Sequence, residues 1–174
     1  MSAPAPAKPE SNEYASYYEK YVSLVPEGGV VETLERQGAE TLALLRGLTE
    51  EQGARRYEEG KWSVKQVFGH VVDTERIFAY RALAIARGEQ QPLPGMDQED
   101  YMAGVDFDAR TLASLADEFE AVRRSTVLLL RSLTPEAWAR RGTASGYEVT
   151  VRALAYILAG HEAHHVRILR ERYL

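Results

Sequence analysis

Cysteine is absent from the 174-residue chain. Its absence excludes disulfides, iron–sulfur clusters, thiolate zinc sites and a cysteine nucleophile. It is also typical of a protein kept in the reducing cytoplasm, which is where we expect this one. Long apolar runs are missing as well. Because no stretch approaches the ~18 uninterrupted apolar residues of a membrane-spanning helix, we expect no membrane partner.

Positive charge is also in short supply. The chain has 26 acidic and 21 basic residues, which gives a net charge of −5. A nucleic-acid-binding face needs clustered positive charge to displace counterions from phosphates, so the sequence predicts no nucleic-acid partner. The remaining composition, 45% hydrophobic and 27% charged, is that of an ordinary globular protein of one domain.

The first residues, MSAPAPAKPE, are rich in proline and alanine and lack the apolar core of a signal peptide. A segment of this composition cannot bury enough apolar surface to fold by itself. We therefore expect a disordered tail over residues 1–12 and one folded domain over residues 13–174.

The rest of the chain follows a helical pattern, and no run alternates with the period of a strand. Four long helices are predicted, at about residues 30–48, 63–87, 112–133 and 149–174. The second begins with a capping box formed by Ser63 and Gln66, and Gly88 follows its end. The third carries the seam of a bundle helix, at alternating three- and four-residue spacing: Leu112, Leu115, Phe119, Val122, Thr126, Leu129 and Leu133. These features predict an all-α protein, a four-helix bundle.

A short tyrosine-rich segment precedes the first long helix. Tyr14, Tyr17, Tyr18 and Tyr21 have the i, i+3, i+4, i+7 spacing of one helix face. Such a stripe packs on a core more often than it binds a ligand, so we expect these rings in the core.

An internal repeat relates the two halves of the predicted bundle. The segment LLRGLTEEQGARR (44–56) recurs 85 residues later as LLRSLTPEAWARR (129–141), with nine of thirteen positions identical. Each copy ends one long helix and leads into a helix that carries histidine. The repeat is consistent with two related helical hairpins, although leucine- and arginine-rich helix ends also match by chance.

Histidine is scarce, and the placement of its four residues is the most informative feature of the sequence. On the fourth helix the inward line passes through Leu154, Leu158, His161, His165 and Ile168. Two imidazoles thus take consecutive core positions, where polar rings without partners would cost on the order of a few kcal/mol. A divalent metal would satisfy both, because histidines at i and i+4 project from one helix face towards a shared point.

His70 lies two turns into the second helix, at the edge of its apolar face. It is about 10 Å from the start of that helix, and His165 is about 13 Å from the end of the fourth. The two levels match if these helices are antiparallel. The connection at residues 88–108 is long enough to cross the bundle, which independently predicts up-down-down-up topology. We therefore predict a metal site formed by His70, His161 and His165.

Two other interpretations of the histidines are open. They could be buried, metal-free residues of a non-catalytic helical module. The segment HEAHH (161–165) also satisfies H-E-x-x-H, the motif of zinc peptidases in which glutamate is the general base. A mismatch with the extended metzincin motif argues against a peptidase, because that motif requires glycine and histidine where this chain has Ile168 and Glu171. Glu162 also points about 100° away from His161 around the helix.

Asp73 and His164 are candidates for indirect contact with the metal. Asp73 lies one turn after His70 and could accept a hydrogen bond from the His70 ring, which would fix its tautomer. A solvated carboxylate fits the same position. His164 points about 60° away from His161 around the helix, so we expect it beside the site rather than among the ligands.

Two further polar features lie near the predicted site. Arg81 shares the helix stripe of His70 three turns on, where we expect it in an internal ion pair rather than at the metal. The 88–108 connection carries Asp97, Asp100 and Tyr101. It is either a lid or wall of a pocket, or a plain long crossover between the second and third helices.

The chain resembles the DinB-like superfamily of metalloenzymes over nearly its whole length after residue 12. The resemblance lies in three stretches, GKWSVKQVFGHVVDTERIFAYRAL (60–83), PLPGMDQEDY (92–101) and AGHEAHHVRILRERYL (159–174). It implies an up-down-down-up four-helix bundle, frequent homodimers, and a divalent metal, often nickel or zinc, held by His70, His161 and His165. Iron and manganese are alternatives, since three imidazoles do not rank these metals.

The resemblance implies more than one chemistry. The superfamily includes transferases that use a low-molecular-weight thiol such as bacillithiol, mycothiol-dependent isomerases, and hydrolases. We therefore expect a metal-dependent transferase that activates a small thiol cosubstrate and acts on a small-molecule substrate. A hydrolase that uses metal-bound hydroxide and a non-catalytic metal-binding module are the alternatives. Because the chain has no cysteine, any thiol must come from outside it.

Overall fold

The computed structural model describes residues 6–174, and four long helices make up nearly half of it. In chain order the elements are α1 (Glu19–Val22), α2 (Val30–Gly47), α3 (Glu50–Gly53), α4 (Val64–Ala86), α5 (Gln98–Ala103), α6 (Leu112–Arg131), α7 (Pro135–Ala139), the strands β1 (Arg141–Ala144) and β2 (Tyr147–Thr150), and α8 (Val151–Ile168). A turn of π-helix at Leu169–Tyr173 continues α8, and 3₁₀ turns at Ser11–Glu13 and Ser16–Tyr18 precede α1. Within residues 6–174, every helix falls short of the length or the apolar character needed to span a bilayer.

Helices α2, α4, α6 and α8 form the bundle, and two core clusters define their directions. One cluster joins the starts of α4 and α6 to the ends of α2 and α8, with Val64, Leu112, Leu45 and Leu169 among its members. The other joins the opposite ends of the same helices, with Ile85, Leu130, Val30 and Val151 among its members. Helices α4 and α6 therefore run in one direction and α2 and α8 in the other. This confirms the predicted up-down-down-up topology, with residues 88–108 as the long crossover.

The predicted start of the second long helix, α4, is also confirmed. Ser63 Oγ accepts a hydrogen bond from the backbone N of Gln66 (3.1 Å), and Gln66 Oε1 accepts one from the backbone N of Ser63 (2.9 Å). The helix ends at Ala86, and Gly88 follows in the left-handed region with φ of 92°. His70 consequently lies two turns inside α4, at the predicted depth.

Residues 141–150 depart from the all-helical prediction, because β1 and β2 form an antiparallel hairpin. Its two-residue loop has positive φ at both positions, 54° at Ser145 and 80° at Gly146, as in a type I′ turn. Strands of four residues are too short for a clear period-two alternation in the sequence. Leu93 pairs with this hairpin, its backbone N donating to the carbonyl of Thr143 (2.8 Å). The hairpin thus anchors the long crossover.

The two copies of the internal repeat have similar local structures. Each ends a long helix, α2 or α6, and continues into a short helix, α3 or α7. The threonine that both copies share caps the short helix. Thr49 Oγ1 accepts from the N of Gln52 (3.2 Å), and Thr134 Oγ1 accepts from the N of Ala137 (3.3 Å). The repeat therefore corresponds to a shared helix–turn–helix end.

Residues 6–12 differ from the predicted disordered tail, whose residues 1–5 lie outside the described part of the chain. Lys8 Nζ donates a hydrogen bond to the carbonyl of Val25 (2.9 Å), and Pro9 is buried. These contacts hold the segment against the bundle. Composition alone did not indicate them, because they depend on groups far along the chain.

The tyrosine segment is not one continuous helix, since a 3₁₀ turn precedes the single turn of α1. Tyr14 and Tyr21 are buried in the core, as predicted, whereas Tyr17 is 62% exposed. The segment is held in place by Glu13, which is 3% exposed and accepts a hydrogen bond from Thr150 Oγ1 at the start of α8 (2.8 Å). This attachment positions the tyrosines beside α8.

A buried ionic network ties the four long helices together. Arg123 on α6 donates to both carboxylate oxygens of Glu75 on α4 (2.9 and 2.8 Å) and to Glu162 on α8 (2.7 Å). Its Nη1 donates to the carbonyl of Leu34 on α2 (2.8 Å), and Thr41 Oγ1 on α2 donates to Glu162 (2.6 Å). The three charged side chains are at most 5% exposed. Every long helix therefore contributes a group to one polar network.

The core positions of the third long helix, α6, differ from the predicted seam at Arg123. The prediction assigned Val122 to the core, but Val122 is only partly buried and Arg123 is fully buried. Gly38 on α2 leaves room for the arginine, since a Cβ at that position would lie 2.9 Å from Arg123 Cγ. A charged residue is seldom fully buried unless it is paired, and the sequence pattern does not show the partners of Arg123.

We expect Arg123→Ala to destabilise the protein by roughly 3–5 kcal/mol, because it leaves two buried carboxylates without a counter-charge. The matched control is Arg131→Ala, which removes an exposed ion pair with Glu35 at the end of the same helix (2.8 Å). That change should cost less than about 1 kcal/mol. Urea unfolding followed by circular dichroism measures both variants. Equal unfolding midpoints would contradict a stabilising role for the network.

Candidate metal centre

Three imidazole rings meet between α4 and α8. His70 Nε2 is 3.0 Å from His161 Nε2, and His165 Nε2 is 3.1 Å from the same atom. The ring centroids are 4.5 to 4.9 Å apart. One possible ligand nitrogen of each residue lies within 4.8 Å of the other two. The structure therefore brings together the three residues that the sequence predicts as ligands.

Hydrogen bonding alone does not satisfy this arrangement. A neutral imidazole has one N–H donor and one acceptor nitrogen. His161 Nε2 is therefore either a donor or an acceptor, yet two other ring nitrogens face it. By contrast, two nitrogens that each lie about 2.1 Å from a shared ion are about 3.0 Å apart when the angle at the ion is about 90°. The spacing of these nitrogens fits a single metal ion.

Burial keeps the three rings neutral. His70 and His161 are 5% and 7% exposed, and His165 is partly buried. Burial lowers the pKa of His70 to about 4, and burial, reinforced by the neighbouring His70, lowers the pKa of His165 to about 3. Burial also holds the pKa of His161 well below its usual value, with His165 and His70 adding to the effect. Each ring therefore keeps a lone pair for a ligand bond at neutral pH.

Aromatic rings pack against two of the clustered histidines. The Tyr21 ring packs edge-on against His161, with centroids 5.4 Å apart. The Trp62 ring lies 5.0 Å from the His70 ring. These contacts restrict the orientation of the imidazoles.

A glycine precedes the first clustered histidine on each helix and permits a close approach. A Cβ at Gly160 would lie 2.0 Å from the backbone O of Tyr21, so only glycine lets the tyrosine segment lie directly on α8. A Cβ at Gly69 would lie 2.5 Å from the ring of Phe107, which comes from the crossover. Both helices are therefore shaped for close packing next to the cluster.

Asp73 and His164 lie near the cluster but outside it. The His164 ring packs against the rings of Tyr21 (5.4 Å) and His165 (5.2 Å), so it lies beside the site, as expected. Among the described residues no hydrogen bond joins Asp73 to His70, and the structure gives no contact for the suggested tautomer-fixing role. Burial raises the pKa of Asp73. The charged groups that act on Asp73 are Arg76, Glu118 and Arg110.

The H-E-x-x-H match is coincidental in this fold. Glu162 faces away from the histidines, and its carboxylate accepts hydrogen bonds from Arg123 and Thr41. Burial raises the pKa of Glu162, while Arg123 opposes this effect. A peptidase general base must reach the water at the metal. The structure therefore excludes the zinc-peptidase interpretation.

Two cavities are lined by different members of the cluster. The His70 cavity, of about 370 Å³, is lined by His70 and His161. The His165 cavity, of about 310 Å³, is lined by His165. Gln98 and Glu99, at the start of α5, line both cavities. The start of the short helix therefore borders both cavities, one at His70 and His161 and the other at His165.

The crossover forms a wall of these cavities. Asp97 lines the His70 cavity and caps α5, its Oδ1 accepting a hydrogen bond from the backbone N of Glu99 (2.8 Å). Asp100 and Tyr101, the other two candidates on this segment, do not line either cavity, and Tyr101 is 50% exposed. The crossover thus forms part of a cavity wall. Of its three candidate residues, only Asp97 contributes to that wall.

Several residues of the His70 cavity were missed at the sequence level. Tyr17, Tyr18 and Tyr21 line it, although their spacing predicted only core packing. Thr74 lines it one turn after His70, and its buried hydroxyl has no hydrogen-bond partner among the described residues. The i, i+4 spacing from His70 to Thr74 was the available signal.

Arg81 also lines the His70 cavity, and the ion pair predicted for it is wrong. The side chain is 3% exposed, and its Nη2 donates to the carbonyl of Pro94 (2.9 Å) and to Ser145 Oγ (3.1 Å). Both acceptors are neutral. This buried cation therefore has no anionic partner within residues 6–174.

The observations so far define a four-helix bundle with a histidine cluster between its second and fourth long helices. The family model for the DinB superfamily matches residues 33–169, a range that includes all three clustered histidines. The chain therefore belongs to the DinB superfamily.

Relatives share this architecture. A protein of Oceanobacillus iheyensis, named as a candidate metal-dependent hydrolase, is 27% identical over 138 residues, which cover 78% of this chain and 77% of that protein. Bacillus subtilis YfiT, described as a candidate metal-dependent hydrolase with an unusual four-helix-bundle topology, aligns with a TM-score of 0.74 at 19% identity, over 94% of this chain and 90% of YfiT. A mycothiol-dependent maleylpyruvate isomerase aligns with a TM-score of 0.65 at 15% identity, over 79% of this chain and 58% of the isomerase. The two structural similarities establish the fold.

We expect Gly160→Ala to weaken the packing of the tyrosine segment on α8, because the new Cβ would lie 2.0 Å from a backbone oxygen. The free energy of unfolding, measured with urea, should fall by roughly 1–3 kcal/mol. Gly47→Ala is the matched control. A Cβ there meets nothing within 4 Å, so alanine should be neutral or stabilise the helix by up to about 1 kcal/mol. If both variants unfold at the same urea concentration, close packing at Gly160 is refuted.

Proposed function

We propose that this protein is a metal-dependent enzyme in which His70, His161 and His165 bind one divalent ion. The observation that carries the proposal is the convergence of three neutral ring nitrogens that hydrogen bonds within the protein cannot all satisfy. Membership of the DinB superfamily supports it. Nickel and zinc are the ions we propose first, because imidazole ligands suit both, with iron or manganese as alternatives.

The donor set fits a catalytic role better than a structural one. A divalent ion with three protein ligands keeps an open position and lowers the pKa of a water or thiol that occupies it. The three imidazoles bring no negative charge, so they leave the charge of the ion undiminished. Tyr21 and Trp62 pack against the His161 and His70 rings and hold them in place.

Metal analysis of protein purified without an affinity tag tests the ligand set. We expect about one divalent ion per chain in the wild type and the loss of most of it in His161→Ala, because that change removes one of three ligands. His164→Ala is the matched control, since His164 lies on the same helix but outside the cluster, and it should retain the ion. Equal metal contents in wild type and His161→Ala would eliminate the proposed ligands.

For the reaction, we propose transfer between a small organic substrate and a low-molecular-weight thiol. The two cavities support this, because one is lined by His70 and His161 and the other by His165, so that they would admit two reactants separately. The chain has no cysteine, so the thiol would enter as a cosubstrate. A mycothiol-dependent isomerase of the same fold is in line with a thiol.

Hydrolysis is the second candidate, and the names given to the Oceanobacillus iheyensis relative and to YfiT favour it. In a hydrolase, water would replace the thiol, and one cavity would suffice for the organic substrate. A metal-binding module without catalytic activity is a third candidate, and it would show no turnover with either nucleophile.

A turnover assay separates these candidates. We expect the metal-loaded protein to accelerate the reaction of 1-chloro-2,4-dinitrobenzene with a small thiol such as cysteine, and His161→Ala to fall to the uncatalysed rate. Hydrolysis of p-nitrophenyl acetate without thiol is measured in parallel. Thiol-independent turnover of the ester, with no acceleration of the thiol reaction, would replace the transferase proposal by the hydrolase.

We also propose, from the family resemblance, that the protein acts as a homodimer in the cytoplasm on a small-molecule substrate. Light scattering after size-exclusion chromatography gives the mass of the assembly directly. The 19.5 kDa mass of the chain makes a dimer easy to distinguish from a monomer.

A further inference from the structure

One wall of the His70 cavity carries a row of polar side chains on α4. Thr74 and Arg81 follow His70 by four and eleven residues, so the helix places all three on one face. The Cα atoms of His70 and Arg81 are about 16 Å apart along the helix axis. The cavity therefore has histidines at one end and a guanidinium towards the other.

Only part of the guanidinium of Arg81 is engaged by the protein. Its Nη2 donates to the neutral oxygens of Pro94 and Ser145, while Nε and Nη1 have no hydrogen-bond partner among the described residues. A buried arginine is almost always paired with an anion. A guanidinium with free N–H groups in a cavity wall is suited to hold a carboxylate or phosphate through two parallel hydrogen bonds.

The surroundings hold Arg81 in this position. Ser145 Oγ accepts the hydrogen bond of Arg81 Nη2, and Ser145 is itself fixed in the type I′ turn of the hairpin, where its φ is 54°. The Phe78 ring lies 4.9 Å from the guanidinium carbon, and Tyr18 packs edge-on against Phe78 (6.0 Å). The middle of the cavity is therefore aromatic, between two polar ends.

We propose that the His70 cavity binds an organic anion, whose carboxylate or phosphate pairs with Arg81 and whose reacting end points towards the histidines. The direction of the reacting end rests on the proposed function, whereas the anion site requires no metal. The buried hydroxyl of Thr74, which also has no hydrogen-bond partner in the described part of the chain, is a second polar group left for a ligand. A volume of about 370 Å³ suits a small molecule.

The acidic residues at the cavity mouth do not take the place of this anion. Asp97 and Glu99 line the cavity, but both are exposed to solvent, where their charges are screened. Asp97 is also engaged in capping α5. Neither forms an ion pair with Arg81. Positive charge at the buried end is therefore not balanced by the protein.

Binding of three probes of similar shape tests the proposal: benzoate, phenyl phosphate and neutral benzamide. Each is titrated into metal-free protein and followed by ¹H–¹⁵N NMR, so that an anion cannot gain affinity from the ion. We expect benzoate or phenyl phosphate to bind about tenfold to a hundredfold more tightly than benzamide. The better of the two anions identifies the group that Arg81 prefers.

Arg81→Gln should remove this advantage, and Arg131→Gln, which removes an exposed charge of the same sign, should keep it. An anion preference that is absent from the wild type, or that persists in Arg81→Gln, overturns the proposal. A second measurement uses the wild type, in which the contacts of Arg81 with the rest of the protein are intact. In the wild type, one arginine Nε–H signal, assigned by its absence from Arg81→Lys, should shift with the anion and not with benzamide. A signal that does not move also overturns the proposal.

Failure of the anion site and failure of the metal site are distinguishable. Metal content is measured separately on Arg81→Gln, which we expect to equal the wild type because Arg81 is not one of the proposed ligands. Loss of the anion preference with normal metal content supports both proposals. A wild type that binds the anion but no metal supports the anion site and removes only the proposed orientation of its ligand.

Discussion

The antiparallel packing of α4 against α8 is the constraint on which the site depends. His70 lies near the start of α4, and the other two clustered histidines lie near the end of α8, so opposite directions bring the three rings to one level. The glycines at 69 and 160 permit close packing beside this level. The same constraint explains the long crossover, because the chain must return across the bundle before α6 begins. The crossover in turn supplies residues that line both cavities.

Helix α8 separates two electrostatic environments with consecutive residues. His161 faces α4 and the neutral cluster, whereas Glu162 faces α2 and α6 and belongs to the ionic network around Arg123. The network is buried on the other side of the helix, and its carboxylates are occupied by hydrogen bonds. They are therefore not available as ligands, and the cluster keeps a purely imidazole donor set. The network stabilises the bundle without changing the charge at the site.

Much of the fold and the histidine cluster could be predicted from the sequence, because both depend on helical periodicity and a constant rise per residue. What could not be predicted depends on partners far along the chain. Arg123 is a core residue only because two acids on other helices pair with it. Arg81 lacks an ion pair because the hairpin and the crossover, which no helical pattern reveals, present it with neutral oxygens. Helical spacing likewise predicts the face of α4 on which Asp73 lies, but it does not predict the charged groups that surround Asp73.

The charge balance of the His70 cavity connects the two proposals. With a divalent ion bound, this cavity would hold two positive charges at the histidine end and one at Arg81, while the imidazoles contribute none. Uncompensated charge is costly in a buried site, so ligands that enter must supply the negative charge. A neutral water molecule brings no negative charge, whereas a thiolate or hydroxide at the ion would bring one. An organic anion at Arg81 would bring another, so that together they would offset at least two of the three positive charges. Electrostatics thus favours a reaction between two anionic partners, in which the protein offsets their mutual repulsion and holds them on either side of the aromatic middle of the cavity.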